Sequence, residues 1–176
     1  VSCPLFVIEH RTQRRPVGEH AALHLQAAEM AYATGPCMCH HTLNHTFEVA
    51  DVQNMVKRVF EGRVCFHDGS RELAPGLSVH WTGGHSRGLQ VVRVRTRRGW
   101  VVLASDAAHY YENFQNHAPF PVVVDVADML NGYTVLEELS SSPQHIVPGH
   151  DPLVLERYPL SGSAEGIVRL DADPTE

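Results

Sequence analysis

Three short segments hold the residue types that metal-assisted hydrolysis uses. They are Gly83-Gly84-His85-Ser86, Ser105-Asp106-Ala107 and Pro148-Gly149-His150-Asp151. Each follows an apolar stretch that reads as a strand, and two of them begin with glycine turns that let a ligand approach the backbone. Loops at strand ends are where α/β enzymes hold reactive groups. Imidazole and carboxylate hold zinc, iron or manganese while leaving a position for water, and a carboxylate can bridge two cations. The competing reading of any one of these histidines is an ordinary hydrogen-bonded loop residue. Thirteen histidines make that the expectation for most of them.

The four cysteines, Cys3, Cys37, Cys39 and Cys65, are too few for a disulfide framework in a chain of 176 residues. Cys37-Met38-Cys39 lacks both the spacing and the second pair of a zinc finger.

The elements that must position these segments follow from periodicity. Residues 47–60 form an amphipathic packing helix: Val49, Val52, Val56, Val59 and Phe60 share a face with Met55 beside them, Thr46 is a cap and Gly62 a stop. Residues 21–34 read as a short strand running into a helix. Arg63–Phe66, Leu77–Trp81 and Gln144–Val147 read as strands, with turns at His67-Asp68-Gly69-Ser70 and Ala74-Pro75-Gly76. Gln90–Arg95 and Trp100–Ala104 form a hairpin in which Val92 and Val94 face one way and Arg93 and Arg95 the other. The arginines between 93 and 98 read as a solvated edge and turn rather than a phosphate site. Val126, Met129, Leu130, Tyr133 and Leu136 mark a second helix ending near Ser140, weakened by Gly132. This divides the chain into an irregular segment 1–20, a domain 21–159 and a mobile tail 160–176 rich in acidic and small residues.

Hydrophobic residues are 43% of the chain and charged residues 19%, which is a globular composition. The net charge of −6 argues against a nucleic-acid partner bound through bulk positive charge. No apolar run reaches the ~20 residues of a membrane span. The first residues lack a signal-peptide pattern, so the expected location is cytoplasmic, with no membrane partner.

The order GGHS with Gly88 three residues past the histidine, SDA 21 residues on and PGHD 44 residues beyond resembles the C-terminal half of the metallo-β-lactamase superfamily. LQVVRVRTRRGWVVLASDAAHYYENF with HIVPGHDPLV is similar to its lactonase branch, which includes N-acyl-homoserine lactonases and 4-pyridoxolactonase. The resemblance runs from about Leu23 to Tyr158. It implies an α/β fold, a partial α/β/β/α sandwich made mainly of the C-terminal half. It also implies a divalent metal, zinc foremost, at two per chain in intact relatives, with His85 on the first metal, Asp106 bridging and His150 on the second. A hydroxide formed between the cations would open a small-molecule lactone such as an N-acyl-homoserine lactone. The lactonases place a tyrosine three residues after the bridging aspartate. Here that position is His109, a catalytic and substrate-binding candidate, with Tyr110 a substrate-binding candidate beside it.

The sequence departs from the family at H-x-H-x-D-H, which is absent. If Leu5–Ile8 is the preceding strand and Val17-Gly18 the following small pair, Arg11, Gln13, Arg15 and Pro16 stand where ligands belong. Protonated arginine cannot ligate, and proline has no donor atom. His10, His20 and His24 are the candidate substitutes. His40, His41 and His45, with Cys37 and Cys39, lie where the family has its substrate mouth, or on an ordinary surface. Two functions stay open: a metal-dependent lactone hydrolase, and a non-catalytic remnant of one. A remnant's exposed sheet would favour self-association. A thioester or phosphodiester substrate is a further variant of the first.

Overall fold

The computed structural model describes residues 22–162 and 166–175, together with the backbone of residues 8–10. Leu5–Val7, the stretch Arg11–Pro16, Val17-Gly18, His20 and the side chain of His10 lie outside the described residues.

The elements run in the order β1 (Ile8–His10), β2 (Ala22–Gln26), α1 (Ala27–Ala33), α2 (His41–Asn44), α3 (Val49–Phe60), β3 (Val64–His67), β4 (Arg71–Ala74), β5 (Leu77–Trp81), β6 (Gln90–Thr96), β7 (Gly99–Ser105), α4 (Tyr111–Gln115), α5 (Val126–Leu139), β8 (Ile146–Pro148) and α6 (Leu153–Arg157). Two sheets form, of order β1-β2-β3 and β4-β5-β6-β7-β8. β2 and β3 are parallel and joined through α3, and β7 and β8 are parallel and joined through α5. The remaining neighbours are antiparallel.

The layers follow from strand alternation. On β2 and β3, Leu23, Leu25 and Val64 face α3 and pack with Met55 and Val52. On the five-stranded sheet, Val91, Val102 and Ala104 face α5 and pack with Met129, Tyr133 and Leu136. The sheets meet through their other faces, where the Gln26 amide donates to Gln90 Oε1 at 3.0 Å and Gln90 donates to the His24 carbonyl at 2.9 Å. The result is helix, sheet, sheet, helix: the partial α/β/β/α sandwich. α5 starts where Asp125 accepts from the Ala127 and Asp128 amides, a cap that satisfies helix-end donors.

Three local expectations give way. Thr46 does not cap α3, because its hydroxyl donates to the Leu43 carbonyl and Glu48 holds the cap position without a side-chain bond. The arginine hairpin is not a sheet edge, since β6 and β7 are central strands. Arg93 and Arg95 do share a face, and both guanidinium groups lie over the Trp100 ring, while the Arg98 side chain is buried and donates to the Tyr158 hydroxyl and the Gln144 carbonyl. The apolar stripe of α3 is only partly covered, with Val49 70% and Phe60 89% exposed. Beyond Pro159, Leu160 bridges Val168, and Val168 and Leu170 pack on Val101, Val147 and Tyr158.

Leu136→Ala removes a fully buried side chain from beneath the five-stranded sheet and is expected to lower stability by about 2–5 kcal/mol. Val49→Ser on the exposed side of α3 is expected to change it by less than about 0.5 kcal/mol. Urea unfolding of both variants checks the contrast.

Candidate metal centre

Each candidate side chain leaves the end of a strand in the five-stranded sheet. After β5, the Thr82 and Gly83 amides donate to the Leu89 carbonyl at 2.9 and 3.1 Å and close the loop 82–89. Gly84 has φ +86, and a Cβ there would stand 2.7 Å from Met129 Cα, so only glycine lets this turn rest on α5. The Gly84 carbonyl accepts from the Val124 and Asp125 amides. His85 is thereby buried, and its Nδ1 lies 2.8 Å from the Val122 carbonyl. A carbonyl can only accept, so Nδ1 donates to it and Nε2 is the nitrogen turned towards the cluster, the arrangement that orients metal-binding imidazoles. That Nε2 faces Asp106 Oδ2 at 3.5 Å.

Asp106 is buried directly after β7, behind Ser105, whose φ of 51 is uncommon for a residue with a side chain. β8 brings His150 to the same place. A Cβ on Gly149 would lie 2.6 Å from the Ser105 carbonyl oxygen, so the two strand ends touch backbone to backbone. The Gly149 and His150 amides donate to the carbonyls of Ala108 and His109, both at 2.9 Å. Asp151 is buried and accepts from the Tyr111 and Leu153 amides at 3.0 Å each, which fixes the loop that carries His150.

His150 Nε2 is 2.7 Å from Asp106 Oδ1, and His109 Nε2 is 3.6 Å from the same oxygen. The two carboxylate oxygens therefore face different histidines, Oδ1 towards His150 and His109 and Oδ2 towards His85. One ligand atom each from Asp106, His109 and His150 falls within a 4.8 Å cluster, and this is the only group of three or more such residues among the described ones. The donor chemistry fits a divalent cation with three protein ligands and an open position. His109 lies face to face on Phe120 at 3.5 Å. Burial, only partly opposed by the Asp106 carboxylate, holds its pKa down at about 4, so the ring is neutral near pH 7.

His85, Asp106, His109 and His150 thus come together. His109, read from the sequence as a hydrogen-bond donor to substrate, stands within the ligand cluster. Tyr110 is exposed at the rim, its ring 6.4 Å from that of His109. His40, His41 and His45 are exposed, and His24 pairs with His67.

Glu29 was not among the candidates. It lies in α1, is buried, and its Oε2 accepts from the Ser86 hydroxyl and the Gly88 amide, both at 2.7 Å. A Cβ on Gly88 would stand 2.2 Å from the Glu29 nitrogen, which explains a glycine three residues after His85. Glu29 is therefore a positioning residue: it clamps the loop of His85 to α1. The one signal in the sequence is a lone carboxylate in an otherwise apolar helix, Ala27-Ala28-Glu29-Met30-Ala31-Tyr32-Ala33. Burial raises its pKa, against the Ser86 and Gly88 bonds and the charge of His85.

No protein-family model matches the chain. Fifty-four residues, 30% of the chain and 22% of the relative, are 39% identical to an N-acyl homoserine lactonase of Bacillus cereus. A solved structure of an N-acyl homoserine lactone hydrolase, with the product N-hexanoyl-L-homoserine bound at its catalytic metal center, aligns over 76% of this chain and 48% of its own at a TM-score of 0.60 and 24% identity. A hydrolase of the beta lactamase superfamily aligns over 74% of this chain and 48% of its own at a TM-score of 0.55 and 14% identity. The chain spans about half the length of these solved structures and about a fifth of the curated relative. The fold is the metallo-β-lactamase fold in part, as the resemblance implied.

A carboxyl whose folded pKa is raised stabilises the fold most when protonated, and that contribution is lost as pH rises from the ordinary 4.5 through the raised value. Glu29→Gln keeps an acceptor oxygen for Ser86 and Gly88 but cannot ionise. Its urea midpoint is therefore expected to gain on the wild type as pH rises through that window. Glu29→Ala, which removes the clamp, is expected to be less stable than both at every pH.

Proposed function

We propose that the chain carries the metal-binding face of a hydrolase that opens lactones, with N-acyl-homoserine lactones as the substrate class and zinc as the cation. The observation that carries this is the convergence of Asp106, His109 and His150 from the ends of β7 and β8, with Nε2 of His85 turned to the same carboxylate. Support comes from the similarity to N-acyl homoserine lactonases and to a lactone hydrolase with its product at a catalytic metal center. Imidazole nitrogens with one carboxylate suit zinc. A divalent cation there would supply the Lewis acidity that polarises a carbonyl and acidifies water.

The chain's own residues supply the rest. Asp106 would set its carboxylate against such a cation, and its Oδ1 faces the imidazoles of His150 and His109. His85, held by the Val122 carbonyl, presents Nε2 on the opposite side of the carboxylate. Phe120 covers one face of His109 and limits water there. Tyr110, exposed beside His109, would contact the substrate in this reading. A cytoplasmic location belongs to this reading. Self-association is consistent with the exposure of Val49 and Phe60.

The test is metal content by elemental analysis on chain purified without chelator, followed by lactone opening monitored as proton release. Bound divalent metal is expected, with Asp106→Asn and His150→Ala each losing it and lowering lactone opening by about 100-fold or more. A folded, metal-free wild type that opens no lactone would sink the hydrolase in favour of a non-catalytic relative. Metal retained in both variants would show that the ligands are misassigned.

A further inference from the structure

A second pair of imidazoles lies outside this centre, on the three-stranded sheet. His24 on β2 and His67 on β3 approach with Nδ1 and Nε2 2.9 Å apart. Their planes are within 4°, yet the ring centres are 5.1 Å apart, against 3.5 Å for the face-to-face pair His109 and Phe120. The rings are therefore edge to edge, with one nitrogen of each aimed at the other. Cys65 is the register partner of His24, and His67 is the partner of Gln26. Register partners in a parallel ladder point to the same side, and so do residues two apart on a strand. His24, Cys65 and His67 thus share the sheet face opposite α3. They line an open cleft of about 520 Å³ with Asp68 and Ser70. Cys65 is a free, exposed thiol.

We propose that His24 and His67, with Cys65 alongside, form a binding site for a monovalent copper ion. Two imidazole nitrogens facing each other nearly in one plane suit an ion that accepts two ligands in line. A tetrahedral cation such as zinc wants its ligands bent towards one side. Cu(I) also accepts a soft thiolate as third ligand, and Cys65 stands on the same sheet face beside both histidines. Binding requires the nitrogens to separate, which the open cleft and the half-exposed rings permit. The ring that donates the N–H in the ion-free pair keeps its proton by moving it to its other nitrogen, so the two imidazoles bind the ion without losing a proton, and Cys65 joins as thiolate by releasing its thiol proton to solvent. Burial first and then the charge of Arg71 hold His67 below its ordinary 6.5, which keeps that lone pair free of protons at neutral pH.

The test uses the whole chain carrying Cys37→Ser and Cys39→Ser, so that those thiols hold no copper. Cu(I) is titrated without oxygen against a chromogenic chelator. One ion per chain is expected, with His24→Ala and His67→Ala each weakening binding at least about tenfold, Cys65→Ser weakening it less, and His150→Ala leaving it unchanged. X-ray absorption at the copper edge is expected to show two imidazole ligands. Where far-UV circular dichroism shows that His67→Ala disturbs the fold, His67→Gln replaces it with the same expected loss. Unchanged affinity in the His67 variant, loss of copper in His150→Ala, or a site that takes Zn2+ but not Cu(I) would each overturn the assignment.

Discussion

The constraint on which the arrangement depends is the contact between Glu29 and the loop of His85. A buried carboxylate is costly unless its lone pairs are filled, and here the Ser86 hydroxyl and the Gly88 amide fill them at 2.7 Å. Those bonds run between α1, which continues directly from β2, and the loop that leaves β5. They join the two sheets at the edge where the candidate ligands gather. The Gln26 and Gln90 amides make a similar junction a few residues away. Two sheets that meet partly through polar side chains are held in register by directional bonds, which apolar contact alone does not impose.

Around that junction, the histidines converge because backbone touches backbone. Gly84 lies on α5 and Gly149 lies on the end of β7, each at a distance that excludes a side chain. Both close approaches bring a strand-end loop to Asp106. Its carboxylate then serves as the centre, with imidazoles on both sides and a neutral His109 held by stacking on Phe120. The buried Asp151 does for the loop of His150 what Glu29 does for that of His85: it accepts backbone N–H groups and fixes the direction of the histidine beside it. Directed imidazoles around a carboxylate are what a divalent cation requires, and two loops anchored by buried acids supply them.

The His24 and His67 pair obeys the same rule of placement with a different outcome. Its residues lie on neighbouring strands of one sheet, so parallel register, rather than contact between layers, brings the nitrogens together. The first centre includes a carboxylate among its imidazoles, and the second offers nitrogen and sulfur alone. Ions of different softness would therefore partition between them.

The sequence by itself determined the longer strands and helices, the order of the three ligand segments and the turns that need glycine, because periodicity and turn chemistry are local. The alternation of Val92 and Val94 with Arg93 and Arg95 was legible for that reason. Whether those arginines lie at an edge was not, because β6 becomes a central strand only when β5 and β7 pair on either side of it. Thr46 looked like a cap, but its hydroxyl found the nearer Leu43 carbonyl. The tertiary structure alone decided that His109 joins Asp106 and His150, that Glu29 anchors Gly88 59 residues away, and that His24 meets His67 across 43 residues. Contacts at such separations depend on how layers stack and strands register, and no local spacing in a single chain encodes either.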